Sequence, residues 1–469
     1  MKDSVVYEDR MSDSDALMWN IERDPILRST IVGVWLLDAP PDRARLRDRA
    51  ERALHSIPRL RQRVAANPFS IAPPRWEIDP DFDLDFHLRW VRAPGGGSRR
   101  DLLDFAQPIA MQSFDRDRPL WELYVVEGLA DGEAGLVMKL HHANSDGVGL
   151  VQMMGRLMET WRTPDPKRER KPLPPLPEPV YKGIGERFLD ALGYERRKQV
   201  GRALGVLDAL RTGIPDAVRH PVDAGRELAD AIASVGRLLQ PVSEPLSPLM
   251  RGRSMRLHLD ATSVPLVGLK AAAKKAGGTL NDAFVAGVIE GLRRYHERHG
   301  VAVEALRMTM PINVRGEGEK GKRAGNHFVP ARFVVPMQVK DPIERMQRIG
   351  EAVRQQRSEP ALPLVDEISS LLNRFPGVVS AQIFGSMLKG VDFVTSNVPG
   401  PQFDTYASGG LIEEIYGFGP LSGAAANVTL FSYRGHCGIG LNTDQQAVPD
   451  PDVFRESIEE GLAQVLAVA

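Results

Sequence analysis

The chemistry of this chain concentrates in seven residues, His141-His142-Ala143-Asn144-Ser145-Asp146-Gly147. Histidine is the side chain whose ordinary pKa lies nearest neutrality, so a histidine pair offers a general base or acid. Asp146, four residues after His142, stands where a carboxylate could orient an imidazole. The same spacing would suit two metal ligands, but no third protein ligand is apparent, and no metal is expected. Gly147 leaves backbone space where a substrate must approach the base.

The elements around this stretch can be read from pattern. Glu122–Leu129 and Gly135–Leu140 read as neighbouring antiparallel strands joined by Asp131-Gly132-Glu133, which puts His141 and His142 at the end of a central strand. After the motif, Leu150, Val151, Met154, Leu157, Met158 and Trp161 recur at helical spacing, a stripe read as core packing. Upstream, Leu27–Leu37 is β-rich, Asp42–His55 reads as an amphipathic helix, and Ile57–Val64 reads as extended. Trp76–Val91 reads as a strand, with Phe82, Leu84, Phe86 and Leu88 in period two, and Arg99–Gln112 as a helix. Gly95-Gly96-Gly97 lacks the lysine spacing of a phosphate loop and reads as a flexible turn.

At 469 residues the chain is expected to form two lobes. Residues 1–161 would form the first. Residues 162–250 would form a crossover, because Arg162–Val180 holds seven prolines and a local excess of basic residues. The helical segments from Gly183 to Gln240 admit two readings, packing on the protein or lying on a lipid surface. Residues 251–469 would form the second lobe. There a strand near Met255–Leu259 leads to a helix from Pro265 to Ala276, with Ser263 or Val264 near its cap. Asn281 is expected to cap the next helix, whose Phe284, Val285, Val288, Ile289 and Leu292 share a face. That helix ends in Tyr295-His296-Glu297-Arg298-His299, read as a solvated terminus. Strands are expected at Leu306–Pro311, Phe328–Met337, Phe393–Asn397, Ala425–Tyr433 and Gly438–Leu441, with a terminal helix from Pro451.

Composition narrows the function classes. A net charge of −1 provides no field for nucleic acid, and 26% charged residues fit a globular protein. The single cysteine, Cys437, excludes an intrachain disulfide and a multi-cysteine metal site. No apolar run reaches spanning length, so the expectation is a cytoplasmic protein whose contact with a membrane or lipid droplet would be peripheral.

His141-His142-x-x-x-Asp146-Gly147 resembles the HHxxxDG signature of the CoA-dependent acyltransferase superfamily. Flanking residues narrow the likeness to the bacterial wax ester synthase/diacylglycerol acyltransferase family. Pro119-Leu120-Trp121 resembles its PLW motif and Asn281-Asp282 its ND motif. Pro58–Arg63, Met310–Arg315, Gly325–Phe328, Ser396–Pro401 and the region from Asp444 to Asp450 resemble further blocks, in order along nearly the whole chain. The resemblance implies an α/β fold of two chloramphenicol-acetyltransferase-like lobes of mixed sheets, with the active site in a tunnel between them. It also implies acyl-CoA as co-substrate and diacylglycerol or a fatty alcohol as acceptor, giving triacylglycerol or wax ester. Transfer to another hydroxyl acceptor, or lipid binding with weak catalysis, are the rival readings.

By the same resemblance His142 is the general base and no acyl-enzyme forms. His141 stays open between a direct role and shaping the turn. Asp146 either orients His142 or, as the superfamily suggests, pairs with an arginine, for which Arg315 is the motif candidate. Asn281 is either an oxyanion donor or an ordinary cap, with Ser396 and Asn397 as rival donors. Pro119, Leu120 and Trp121 are expected to hold the signature strand, with Trp121 as a second-choice tunnel wall.

Overall fold

The computed structural model describes residues 8–66, 72–144, 154–164, 172–176, 178–179, 183–200, 242, 244–313, 328–359, 365–373, 375 and 377–469. The first part of the chain runs α1 (Asp13–Ile21), β1 (Thr30–Leu37), α2 (Arg43–Ser56), β2 (Gln62–Ala65), β3 (Arg75–Ile78), α3 (Leu84–His87), β4 (Leu88–Arg92), α4 (Arg99–Met111), β5 (Trp121–Glu127) and β6 (Ala134–His141). A helix over 184–200, α5, follows in the crossover. The second part runs β7 (Leu257–Pro265), α6 (Leu266–Lys275), α7 (Leu280–Arg298), β8 (Ala305–Asn313), β9 (Phe328–Pro336), α8 (Pro342–Arg357), α9 (Val365–Leu372), α10 (Gly377–Leu388), β10 (Phe393–Pro399), β11 (Tyr406–Ala407), β12 (Gly410–Phe418), β13 (Ala426–Tyr433), β14 (His436–Asp444) and α11 (Pro451–Leu466).

Two six-stranded mixed sheets organise these elements. The first has the order β11-β12-β1-β6-β5-β4 and the second β7-β14-β13-β10-β8-β9. The sheets do not follow the chain: β11 and β12, from the late part of the sequence, complete the first sheet, with β12 antiparallel to β1. One face of the first sheet packs Trp35, Leu123, Leu136 and Met138 against Leu46 and Ala50 of α2. The opposite face packs Val34, Val126 and Val137 against Leu102 and Ala106 of α4. In the second sheet Met308, Val428 and Leu441 lie under Phe284 and Val288 of α7 and Ile458 of α11.

The expected strand pair holds in register, from Trp121 opposite Leu140 to Glu127 opposite Ala134. Strand β1 closes the other edge of β6, with Thr30 opposite His141. The histidine pair therefore ends a strand bonded on both sides.

Several local expectations are corrected. The Phe82–Leu88 alternation is not a strand, because Asp83 accepts the Asp85 N–H at 2.9 Å and starts α3, which splays the aromatic residues around His87. Pro58–Arg61 forms a 3-10 turn before β2, proline's fixed φ suiting its first position. Ser263 and Val264 lie within β7, and α6 starts at Leu266 without a side-chain cap. Thr279, not Asn281, caps α7, forming a reciprocal capping box with Asp282.

The terminus of α7 is not solvated throughout. Tyr295 is 1% exposed and His296 fully buried. His296 Nδ1 donates to the Leu292 carbonyl, while Nε2 faces Ser247 Oγ, both at 2.7 Å. Burial lowers this imidazole's pKa. Ser247 belongs to the end of the crossover, which Asp392 also holds: its buried carboxylate accepts the N–H groups of Leu246, Ser247 and Arg307 at 3.2, 2.9 and 2.7 Å.

Helix α5 packs through its polar face. Arg187 bonds Glu77 at 2.7 Å, Asp190 pairs with Arg75 at 2.8 Å and with Arg10, and Lys198 pairs with Asp13. Ile184, Leu189, Leu192 and Val200 remain exposed. Residues 201–241 of the crossover lie outside the described residues. No helix among the described residues is long and apolar enough to cross a membrane.

Candidate active site

Strand β6 delivers the two histidines to different surroundings. His141 is its last residue and is fully buried, whereas His142 opens a 3-10 turn, His142–Asn144, and is half-buried. The turn is fastened to neighbouring backbone at three points. The Leu120 carbonyl accepts from His141 N at 3.1 Å and from Asn144 Nδ2 at 2.8 Å, and the Ser29 carbonyl accepts from His142 N at 2.8 Å. Leu120 of the PLW motif thus grips both ends of the turn.

Both ring nitrogens of His141 are engaged inside the protein. Nδ1 accepts the Ala143 N–H at 3.0 Å, which places the ring proton of the neutral tautomer on Nε2. Nε2 stands 2.9 Å from Glu22 Oε1. Trp19 and Phe114 meet the ring edge-on, with centroids at 5.4 and 6.0 Å. Burial on its own pushes the Glu22 carboxyl upward, but His141 and the Ser29 N–H, which donates to Oε1 at 2.6 Å, hold it below the usual carboxylate range. Beyond Phe114 lies a second buried charge. Lys139 Nζ sits 4.3 Å over that ring and 3.4 Å from Glu122 Oε1, and its pKa is lowered by burial against the pull of Glu122.

Trp121 is 3% exposed and stacks on His87 at 4.6 Å, while its indole N–H donates to the Leu60 carbonyl at 2.8 Å. Pro119 and Leu120 are also buried.

Four other predicted residues sit on the second sheet and its covering helix. Asn281 occupies the first turn of α7, where Thr279 has already taken the cap, and its Nδ2 stands 3.2 Å from Met310 Sδ of β8. Asp282 is buried and accepts Thr279 N and Oγ1 at 2.7 and 2.9 Å, a structural use of its carboxylate. Ser396 and Asn397 are half-buried on β10, opposite Thr429 and Leu430 of β13. The site residues thus fall into two groups, one on each sheet. Asp146, Gly147 and Arg315 lie outside the described residues.

A small open pocket of about 50 Å³ is bordered by Arg28, by Thr30, Val32 and Phe418 of the first sheet, and by Leu257 and Asn442 of the second. Arg28 and Thr30 flank Ser29, whose carbonyl holds His142. Among the described residues no group of three histidine, cysteine or acidic side chains is placed to hold a metal. Cys437 is fully buried, and burial pushes its thiol up to about 11, so it carries no thiolate nucleophile at neutral pH. Pattern reading missed Glu22 and Ser29. The only local signal was an acidic residue just past the end of a short helix.

Two joined mixed sheets, with the histidine pair of an HHxxxDG sequence at the end of a central strand, define an acyltransferase of the condensation-domain fold. The first condensation domain of the calcium-dependent antibiotic synthetase aligns at TM-score 0.62 and 16% identity, over 99% of this chain and 97% of that one. The chain belongs to the wax ester synthase/diacylglycerol acyltransferase family: residues 11–284 match the family's catalytic domain and 324–465 its C-terminal domain. A Mycobacterium tuberculosis protein named for diacylglycerol O-acyltransferase activity is 38% identical over 470 residues, covering 100% of this chain and 94% of that protein. A second from the same organism, similarly named, is 30% identical over 483 residues, covering 98% of each. The wax ester synthase/diacylglycerol acyltransferase of Marinobacter aquaeolei shares the fold at TM-score 0.61 and 21% identity, over 97% of this chain and 98% of that one.

Proposed function

We propose that the protein transfers a long-chain acyl group from acyl-CoA to diacylglycerol, a fatty alcohol or both, with His142 as general base and no acyl-enzyme. The observation that carries the base assignment is the division between the histidines. His141 is fully buried, its Nδ1 taken by the Ala143 N–H and its Nε2 2.9 Å from Glu22 Oε1, so the proton-moving role falls to His142.

A neutral alcohol attacks a thioester slowly because its O–H is a weak acid. His142 takes that proton as the alcohol oxygen bonds to the thioester carbon. The tetrahedral intermediate then collapses, the C–S bond breaks, and the imidazolium returns its proton to the departing CoA thiolate. Asn281 is the leading donor to the oxyanion, because its amide is released from capping; Ser396 and Asn397 are its rivals. The lobes are read as residues 1–161 and 251–469, with β12 crossing between them. The exposed Ile184, Leu189, Leu192 and Val200 support peripheral contact of α5 with a lipid surface, where such acceptors reside.

The test is incubation of purified protein with palmitoyl-CoA and either diolein or hexadecanol, following thiol release and separating products by thin-layer chromatography. Triacylglycerol or wax ester is expected. No CoA release above blank with any lipid alcohol overturns the reading, and release only with a polar alcohol moves it to another acceptor.

A further inference from the structure

His142 is held by backbone contacts that lead back to one carboxylate. Oxygen Oε1 of Glu22 accepts the Ser29 N–H at 2.6 Å, and the Ser29 carbonyl accepts the His142 N–H at 2.8 Å. The same oxygen stands 2.9 Å from His141 Nε2, while His141 Nδ1 accepts the Ala143 N–H at 3.0 Å. The contacts close a ring: Glu22, Ser29, His142, Ala143, His141 and Glu22 again. The N–H groups on either side of the His142 carbonyl are thereby fixed, one through a peptide and one through an imidazole.

We infer that Glu22 is the positioning residue for His142, holding its turn through the Ser29 peptide and the His141 ring. This rests on the reading of His142 as the base. Glu22 lies just past the last turn of α1, whose start is fixed by Ser12 accepting the Asp15 N–H at 3.0 Å. Its side chain is 11% exposed, so little water competes for the carboxylate. A general base must stay within about 2.6–3.2 Å of the proton it removes, and an unfastened turn spreads the imidazole over many positions. Glu22 itself reaches no reacting atom in this scheme. Its acceptor oxygen is what matters.

The test compares Glu22→Ala and Glu22→Gln with the unaltered full chain, by amide hydrogen exchange at residues 138–144 and by steady-state kinetics with palmitoyl-CoA and diolein. Glu22→Ala is expected to speed exchange of the His142 and Ala143 amides at least tenfold while leaving Met138 and Leu140 protected. It is also expected to lower kcat at least tenfold with KM within twofold. Glu22→Gln, which keeps a carbonyl oxygen in place, is expected to recover most of both. Unchanged exchange overturns the inference whether or not the enzyme turns over. Unchanged kcat, an equal rise in KM, or Glu22→Gln as impaired as Glu22→Ala also overturns it. An unaltered protein without turnover defeats the acyl-transfer reading, and the exchange arm still decides the clamp. Should Glu22→Ala fail to fold, Glu22→Asp, which withdraws the carboxylate by one methylene, takes its place with the same outcomes.

Discussion

The carbonyl oxygen of Gly417 occupies the place where a side chain at Gly440 would begin. Gly417 lies on β12 of the first sheet and Gly440 on β14 of the second, so the sheets touch there through bare backbone. Gly438 meets the Ile415 carbonyl in the same way. Because β12 pairs with β1 and β1 with β6, this seam sets how far the His142 turn stands from the residues on the second sheet.

A methyl group at this seam cannot be absorbed by a rotamer change, because the atom opposing it is backbone. Gly440→Ala is therefore expected to cost about 1–3 kcal/mol through overpacking and to lower Tm by several degrees. It should also reduce kcat. Gly96→Ala, at a glycine with open space around its Cβ position, serves as the neutral control. Equal melting temperatures for the two variants would show that the seam yields freely.

Asn281 and Thr279 separate catalysis from capping at the start of one helix. Among the described residues the Asn281 amide donates to a thioether sulfur, a weak acceptor, which leaves donor capacity for an oxyanion. If it serves the oxyanion, Asn281→Ala should lower kcat by about 10²–10³-fold with little change in Tm. Thr279→Ala should do the reverse, costing about 1 kcal/mol of stability while leaving most of the turnover. Full activity in Asn281→Ala would transfer the role to Ser396 or Asn397, each testable by the same substitution.

The ring of His299 faces two acceptors, the Tyr295 carbonyl at 2.7 Å and Asp450 Oδ2 at 2.6 Å, so both nitrogens donate and the cation is favoured. The backbone contact and Asp450 raise its pKa above the ordinary histidine value, against a smaller opposing effect of burial. A raised folded-state pKa contributes stability that is full below about pH 6.5 and disappears as pH climbs through the folded value. His299→Gln should therefore lower Tm relative to wild type at pH 6, the lost stability being no more than about 1 kcal/mol for so accessible a pair. The difference should shrink as pH rises through the raised folded-state pKa. A gap that widens toward alkaline pH would contradict the pairing.

The β5–β6 pair and the place of the histidines were legible because the alternation and the Asp131-Gly132 turn act over a few residues. Family motifs named His142 and Asn281, but only coordinates separate the uses of neighbouring side chains. Thr279 and Asn281 are both good caps by type, and the choice depends on where the helix starts. The role of His141 was open because its partners, Glu22 and Ala143 N–H, include a residue more than a hundred positions away. Strand β12 escaped because its apolar alternation is broken at Glu413-Glu414, and Glu414 is used by Arg99 and Tyr416. The burial of His296 depends on Ser247, in a segment of unremarkable composition. The burial of His296 and the partners of His141 are long-range contacts, whereas the cap of α7 and the start of α3 are local choices between neighbouring residues.

The two signature histidines should fail in opposite ways. His142 is half-buried on the turn, so His142→Ala should lower kcat by about 10²–10⁴-fold, the usual reach of a general base, with almost no change in Tm. His141 is fully buried between Trp19, Phe114 and Glu22. His141→Ala takes one of the two described partners from the Glu22 carboxylate, leaves the Ala143 N–H without its acceptor and opens a cavity. The expected cost is about 3 kcal/mol or more, seen as a clear fall in Tm. Its kcat should also drop, because the turn that aims His142 loses one of its fastenings. Thermal melts and CoA-release kinetics on both variants decide the matter. Wild-type turnover in His142→Ala would remove the proposed base, and an unchanged Tm in His141→Ala would show that the buried ring does not hold the turn.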